Sequence, residues 1–262
     1  MLAPRIIPHS YETWNKKWGA PFGRDLPVSR FWEKCLPGKL MTYLQGPFSI
    51  QPNSGTRKFE YPWAFYSTPL EPGMKVVDLG GGLGGFQFVL AKQKLQVVNV
   101  DPGMKSKGRG WRCDSTMMKK MNLAWRTRVE LRNCTMSEAR LDSGSYDRVF
   151  CISVLEHLPE MEYVSSVKAA LECLKVGGYF IITADLFLDL VPFTTRPTNA
   201  YGSNHKIADL VRWPGVEVVA GCLDQLYGST SFSKDSIQSS LSQFLIGDYP
   251  ALIQCLVLHK VQ

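Results

Sequence analysis

From residue 74 to residue 186, short apolar runs alternate with longer segments of helical spacing. That alternation constrains the fold more than any other feature of the chain. "MKVVDL" (74–79), "LQVVNVD" (95–101), "RVELRN" (128–133), "YDRVFCI" (146–152) and "GYFIITADL" (178–186) read as strands. "GFQFVLAKQ" (85–93) and "EYVSSVKAALECLK" (162–175) read as helices, the second with apolar residues three and four apart. Strands that alternate with helices build parallel β-α-β units. The expected fold is therefore α/β, a doubly wound, mostly parallel sheet with helices on both faces. "VEVVAG" (216–221) and "ALIQCLVLHK" (251–260) are candidate last strands. The charges on Arg128, Glu130 and Arg132 suit a strand at the sheet edge, where they discourage unwanted pairing.

Two regions lie outside this pattern. Residues 1–70 are rich in aromatics, Pro and Gly and read as short helices and ordered loops, a cap on the substrate side of a domain spanning 71–262. Residues 187–215 form a long insertion after the fifth strand, expected as a lid, because long loops at the carboxyl ends of parallel strands usually face substrate.

A length of 262 residues with 45% apolar and 20% charged residues suits one large globular α/β domain with decoration. No apolar run approaches the roughly 18 residues of a membrane span, and "MLAPRIIPHSYETW" has prolines and charges where a signal peptide is apolar. Neither a membrane partner nor a leader is therefore expected. Seven scattered cysteines without a C-x-x-C pair read as reduced thiols of a cytoplasmic protein, with no metal site. The net charge of +7 is concentrated. Lys105, Lys107, Arg109, Arg112, Lys119, Lys120, Arg126, Arg128 and Arg132 face only Asp114 and Glu130 between residues 102 and 132. Such a strip is either a solvated face or a surface for a phosphate-bearing partner such as RNA.

The stretch "VVDLGGGLGGF" (76–86) contains Gly80, Gly82 and Gly85 in the G-x-G-x-x-G spacing of dinucleotide-binding turns. Asp78 stands two residues before the first glycine. Beside a pyrophosphate, a carboxylate there would cost on the order of a few kcal/mol at an effective dielectric near 20. The turn is thus read as approaching a ligand with a positive group, an ammonium or a sulfonium. Asp101, which ends the second strand, can accept both hydroxyls of a ribose. A nucleoside that also carries a cation points to S-adenosylmethionine.

"VVDLGGGLGG", "VVNVDPG" and "SYDRVFCISVLEHLP" together resemble the successive motifs of class I S-adenosylmethionine-dependent methyltransferases, over about residues 70–186. The resemblance implies a Rossmann-like seven-stranded sheet with the last strand antiparallel. It implies that Asp78, Gly80, Gly81 and Gly82 shape the methionine end of the cofactor pocket, and that Asp101, with Pro102 beside it, holds the ribose. It places Ser137 and Glu138 beside the adenine, although the family commonly has an aspartate at the position of Ser137. Ile152 and Ser153 match positions that line the methionine moiety. The stretch "PGMKSKGRGWRCDS" departs from the family in reading as a loop where a helix is usual.

Methyl transfer is an in-line displacement, so it needs donor and acceptor held close and aligned, with a base only where the acceptor must lose a proton. Glu156 and His157 in "VLEHLP" are candidate acid–base groups, or else pack the start of the next helix. His205 is a further candidate base, or decorates a helix in "HKIADLVRW". Arg57 can pair with the methionine carboxylate and Glu60 with its ammonium; the alternative is an ordinary ion pair. Tyr11 and Trp14 can wall an acceptor, or can anchor an N-terminal helix. Asn199, Tyr201 and Asn204 in "NAYGSNH" can orient one. No N-P-P-Y motif follows the fourth strand, and no accessory module for a polymer is evident, so a small or medium-sized acceptor is expected, methylated on O or N. The alternatives are a non-catalytic methyltransferase-like binding subunit and an RNA methyltransferase that uses the basic strip.

Overall fold

The computed structural model describes residues 1–25, 43–105 and 113–262. Lys107, Arg109 and Arg112, named above, and Cys35, one of the seven cysteines, lie outside them.

Seven strands form one sheet: β1 (Lys75–Leu79), β2 (Gln96–Val100), β3 (Glu130–Arg132), β4 (Tyr146–Ile152), β5 (Leu174–Phe187), β6 (Val216–Ala220) and β7 (Ala251–Lys260). Their order is β3-β2-β1-β4-β5-β7-β6. The first five run parallel to their neighbours, whereas β7 is antiparallel to both β5 and β6. The chain thus has a Rossmann-like, doubly wound topology with an antiparallel seventh strand. β3 is one of the two edge strands, with Arg132 paired to Glu130 at 2.6 Å.

Adjacent strand residues point to opposite faces, and here both faces are covered. Val76, Phe150, Ile181 and Val257 pack with helices α1 (His9–Trp18), α2 (Arg57–Tyr66), α3 (Phe86–Lys92) and α4 (Ser115–Trp125). Val77, Val149, Phe180, Ile182 and Leu256 pack with α5 (Glu160–Cys173) and the 3-10 segment Ile207–Arg212. That two-sided burial is why the strands read as continuous apolar runs. A sixth short helix, α6 (Lys234–Ser239), follows β6.

The N-terminal residues join the sheet. Leu2 bridges Gln254 and Ala3 donates to the Ile253 carbonyl at 2.9 Å, so residues 1–4 flank the half of β7 that β6 leaves uncovered. "HKIADLVRW" forms a 3-10 segment rather than an α-helix. Within 102–115, Gly103–Lys105 is a 3-10 turn, and Asp114 caps α4 by accepting the Met117 N–H at 2.9 Å.

The strand order reverses between β1 and β4, where chain leaves the sheet in opposite directions. In open α/β sheets a crevice opens at such a point, outside the carboxyl ends of the strands. No helix among the described residues is long and apolar enough to cross a membrane.

Candidate active site

A cavity of about 290 Å³ occupies that crevice. Its floor is the turn after β1. Gly80 (φ +69°) and Gly82 (φ +53°) are in the left-handed region that glycine enters without cost. A Cβ on Gly81 would come within 2.5 Å of Asp78 Oδ2. Buried amides lock the turn: Asn99 Nδ2 donates to the Gly82 carbonyl at 2.7 Å, and Gln87 Nε2 to the Gly84 carbonyl at 3.0 Å.

Asp78 and Asp101 both line the cavity. Asp101 accepts the Gly82 N–H on Oδ2 (2.8 Å) and the Gly103 N–H on Oδ1 (2.6 Å). A carboxylate offers about four acceptor sites, so two remain. Burial raises its pKa, and the two N–H groups partly offset that. Asp78 is 4% exposed, and its carboxyl accepts no hydrogen bond from a described residue. Burial, with the charge of Asp101 second, pushes its pKa up to about 8. A buried carboxyl without a donor is costly unless something cationic or hydrogen-donating reaches it.

On the wall formed by α2, Arg57 pairs with Glu60, and its Nη1 donates to Ser153 Oγ at 2.6 Å. Glu60 Oε1 accepts from Ser153 Oγ (2.6 Å) and Thr183 Oγ1 (2.7 Å), and the side chain is fully buried. Both Glu60 oxygens are thus committed within the protein, and Glu60 does not line the cavity. The idea that it meets an ammonium is corrected: Arg57 and two hydroxyls already satisfy it. Arg57 does line the cavity, and a guanidinium has five N–H donors, so donors remain. Its pKa is raised by Glu60, against the opposing effect of burial. Ser153, at φ +47° without being glycine, is held there by this network.

His157, Tyr201, Asp248 and Tyr249 also line the cavity. His157 Nδ1 lies 2.6 Å from the Tyr201 carbonyl. A carbonyl only accepts, so Nδ1 carries the proton and Nε2 is the basic nitrogen of the neutral ring. The rings of Tyr201 and Tyr249 stack at 4.3 Å and 16°. Gly202 lets the insertion approach closely: a Cβ there would meet the Glu156 carbonyl at 1.9 Å, and that carbonyl accepts the Ser203 N–H.

Several sequence-predicted residues lie elsewhere. Glu156 is 1% exposed, accepts the Asp185 N–H at 3.1 Å, and supports the site from behind instead of lining it. His205 is 7% exposed, stacks on Tyr163 at 4.2 Å and bonds to the Leu158 carbonyl and Glu160, so it fastens the start of α5. Asn199 and Asn204 bind loop backbone: Asn199 takes the Tyr201 N–H, and Asn204 brackets Phe187. Trp14 is buried against Phe48, Phe65 and Phe86, and Tyr11 packs on Phe59 and Tyr66, so both anchor α1. Ser137 and Glu138 are exposed and close a turn on Thr135, outside the cavity. Gly80, Gly81, Pro102, Ile152 and Ser153 do line it.

Sequence reasoning missed Gln51, Asn53, Ser54, Tyr61, Asp248 and Tyr249. The first three belong to a strap over the glycine turn: Gln51 Oε1 accepts the Leu83 N–H at 2.8 Å, and Asp248 accepts the Gly55 N–H at 2.9 Å. A signal for Asp248 and Tyr249 existed. An antiparallel last strand must begin at the edge where its parallel neighbours end, so the turn "GDYPAL" belongs there.

Residues 77–182 match the family model described as a methyltransferase domain. The ubiquinone biosynthesis O-methyltransferase of Marinobacter nauticus is 26% identical over 164 residues, 56% of this chain and 65% of that protein. The match thus spans just under two thirds of that relative. The structure of Burkholderia thailandensis 1,6-didemethyltoxoflavin-N1-methyltransferase, with 1,6-didemethyltoxoflavin and S-adenosylhomocysteine bound, superposes with a TM-score of 0.51 at 16% identity, over 99% of this chain and 100% of that one. The [4+2]-cyclase SpnF superposes with a TM-score of 0.54 at 14% identity, over 85% and 92%. Both likenesses are of fold.

Proposed function

We propose that this chain, whose residues 77–182 match a methyltransferase domain, is a class I S-adenosylmethionine-dependent enzyme that methylates a hydroxyl of a small planar acceptor lodged between His157 and the Tyr201–Tyr249 pair. The observation that carries the reading is the pairing, in one cavity, of an unpartnered carboxyl at the glycine turn with a histidine whose tautomer is fixed.

The cofactor supplies a methyl group on a sulfonium, open to in-line displacement. The residues present fit it. Asp78 has no internal donor and would face the cationic methionine end. The free acceptor sites of Asp101 would take ribose hydroxyls, and the remaining Arg57 donors would take the carboxylate. His157 would accept the acceptor's hydroxyl proton at Nε2, with Nδ1–H on the Tyr201 carbonyl fixing the ring. The stacked tyrosines offer a flat apolar wall, and the strap at 51–55 keeps water out.

The size of the cavity and its charge both favour a small acceptor. Its lining holds Asp78, Asp101 and Asp248 against Arg57, a poor surface for a polyanion. The relative named for O-methylation in ubiquinone biosynthesis supports oxygen over nitrogen. Six free thiols among the described residues suit a reducing, cytoplasmic setting.

The test is turnover with labelled S-adenosylmethionine against simple phenols and catechols, beside amines of the same size. Methylated phenol from wild type, and a loss of about 10²-fold or more in His157→Gln, are expected. Transfer to amines alone would overturn the O-acceptor assignment.

A further inference from the structure

Behind the tyrosine wall lies a buried acid that the reaction as described does not use. Asp185, on β5, is 2% exposed, and its Oδ2 accepts the Tyr249 hydroxyl at 2.5 Å. Tyr249 stacks on Tyr201, and the Tyr201 carbonyl holds His157 Nδ1. One chain of contacts therefore runs from a buried carboxylate, through two aromatic rings, to the imidazole. We infer that Asp185 is the positioning residue of the acceptor half of the site: its carboxylate tethers Tyr249, and through Tyr249 sets both the aromatic wall and His157. This rests on the reading of that wall as the acceptor's seat.

The surroundings make the tether sensitive to protonation. Arg57 and Glu60 face Asp185 from α2, Glu156 from the turn after β4, and Tyr249 from the turn before β7. Arg57 is the only cation among them and is already paired with Glu60. The pKa of Glu156 is raised well above the usual carboxyl range by burial and then by Asp185, and its Oε2 is buried without a partner among the described residues. Burial and the charge of Glu60 push the pKa of Asp185 up to about 6, against Arg57 and the Tyr249 hydroxyl, which lower it. Above pH 6 the carboxylate accepts a charge-assisted bond; below it, a neutral acid holds the phenol more weakly. The acceptor site therefore loosens as pH falls through 6.

A fluorine label reads this without any acceptor. The 19F resonance of 3-fluorotyrosine placed at position 249 should move between pH 5 and 7 with a midpoint near 6. His157→Gln should keep that movement and Asp185→Asn should abolish it. Asn still accepts the hydroxyl but cannot titrate, so folding is preserved. With catechol as acceptor, Tyr249→Phe should raise KM about tenfold and leave the calorimetric Kd for S-adenosylmethionine within about twofold. In wild type KM should rise below pH 6, and in Asp185→Asn it should not. A resonance that stays still in wild type, or that titrates unchanged in Asp185→Asn, overturns the inference. Failure of catechol as a substrate would instead count against the proposed acceptor, since the fluorine titration needs none.

Discussion

Asp78 is a carboxyl that the free protein is better off holding protonated. Its pKa lies near 8 because burial and Asp101 both disfavour its charge. The folded state therefore binds a proton there that the unfolded chain, near pH 4, has already released. Folded stability declines as pH rises through that window and is least helped above pH 8. Asp78→Asn removes the penalty. It should stabilise the cofactor-free protein at pH 8.5 by at least about 1 kcal/mol, roughly 2 °C in Tm, and by progressively less as the pH is lowered, as thermal unfolding would show. The same variant should bind S-adenosylmethionine worse, a trade of stability for function. Gly81 gives a steric test of the same carboxyl. The Cβ of Gly81→Ala would meet Asp78 Oδ2 at 2.5 Å. Cofactor affinity should fall about tenfold or more by calorimetry, with far-ultraviolet circular dichroism unchanged. Asp78 and the glycines were legible in the sequence because a charge beside a turn has a local meaning. Glu60 was misread because its partners, Ser153 and Thr183, are 93 and 123 residues away.

Among the elements, the strap at 51–55 and the insertion at 199–203 close the cavity from two sides. The insertion depends on one close approach, Gly202 against the Glu156 carbonyl at 1.9 Å for an added Cβ. Gly202→Ala must displace the loop that carries Tyr201, and with it the anchor of His157. A kcat lower by about 10²-fold with the cofactor Kd unchanged is expected, read by single-turnover kinetics beside calorimetry. The strap gives the complementary outcome. Asp248→Ala releases the Gly55 N–H and should speed cofactor dissociation by about three- to tenfold in stopped-flow fluorescence. Sequence pattern located the insertion and named Tyr201, which lines the cavity; Asn199 and Asn204 beside it look like ligand groups, yet they hold backbone. Asx side chains in turns serve their own main chain, so polar clusters in loops overstate binding sites.

At the scale of the molecule, the sheet was the most legible part. Buried strands such as "KVVDL" and "ALIQCLVLHK" announce themselves as apolar runs, and the alternation of the first five strands with helices fixes their parallel pairing. The N-terminal residues beside β7 were not legible, since a single bridge at the strand's flank, Leu2 to Gln254, leaves no periodicity. Phe150 is fully buried on one face of the sheet, its ring 5.2 Å from that of Phe86 at the start of α3. Phe150→Ala should cost about 3–5 kcal/mol in denaturant unfolding, a loss that saturating S-adenosylmethionine partly restores by mass action. The central claim is that a glycine turn with an acid in its throat holds a cation. Calorimetry of S-adenosylmethionine at pH 7, in buffers of differing ionisation enthalpy, counts the protons that move on binding. Wild type should release about one proton, as Asp78 ionises against the bound cation, and Asp78→Asn should release none while binding more weakly. Equal affinity and an equal proton count in the two proteins would contradict the account.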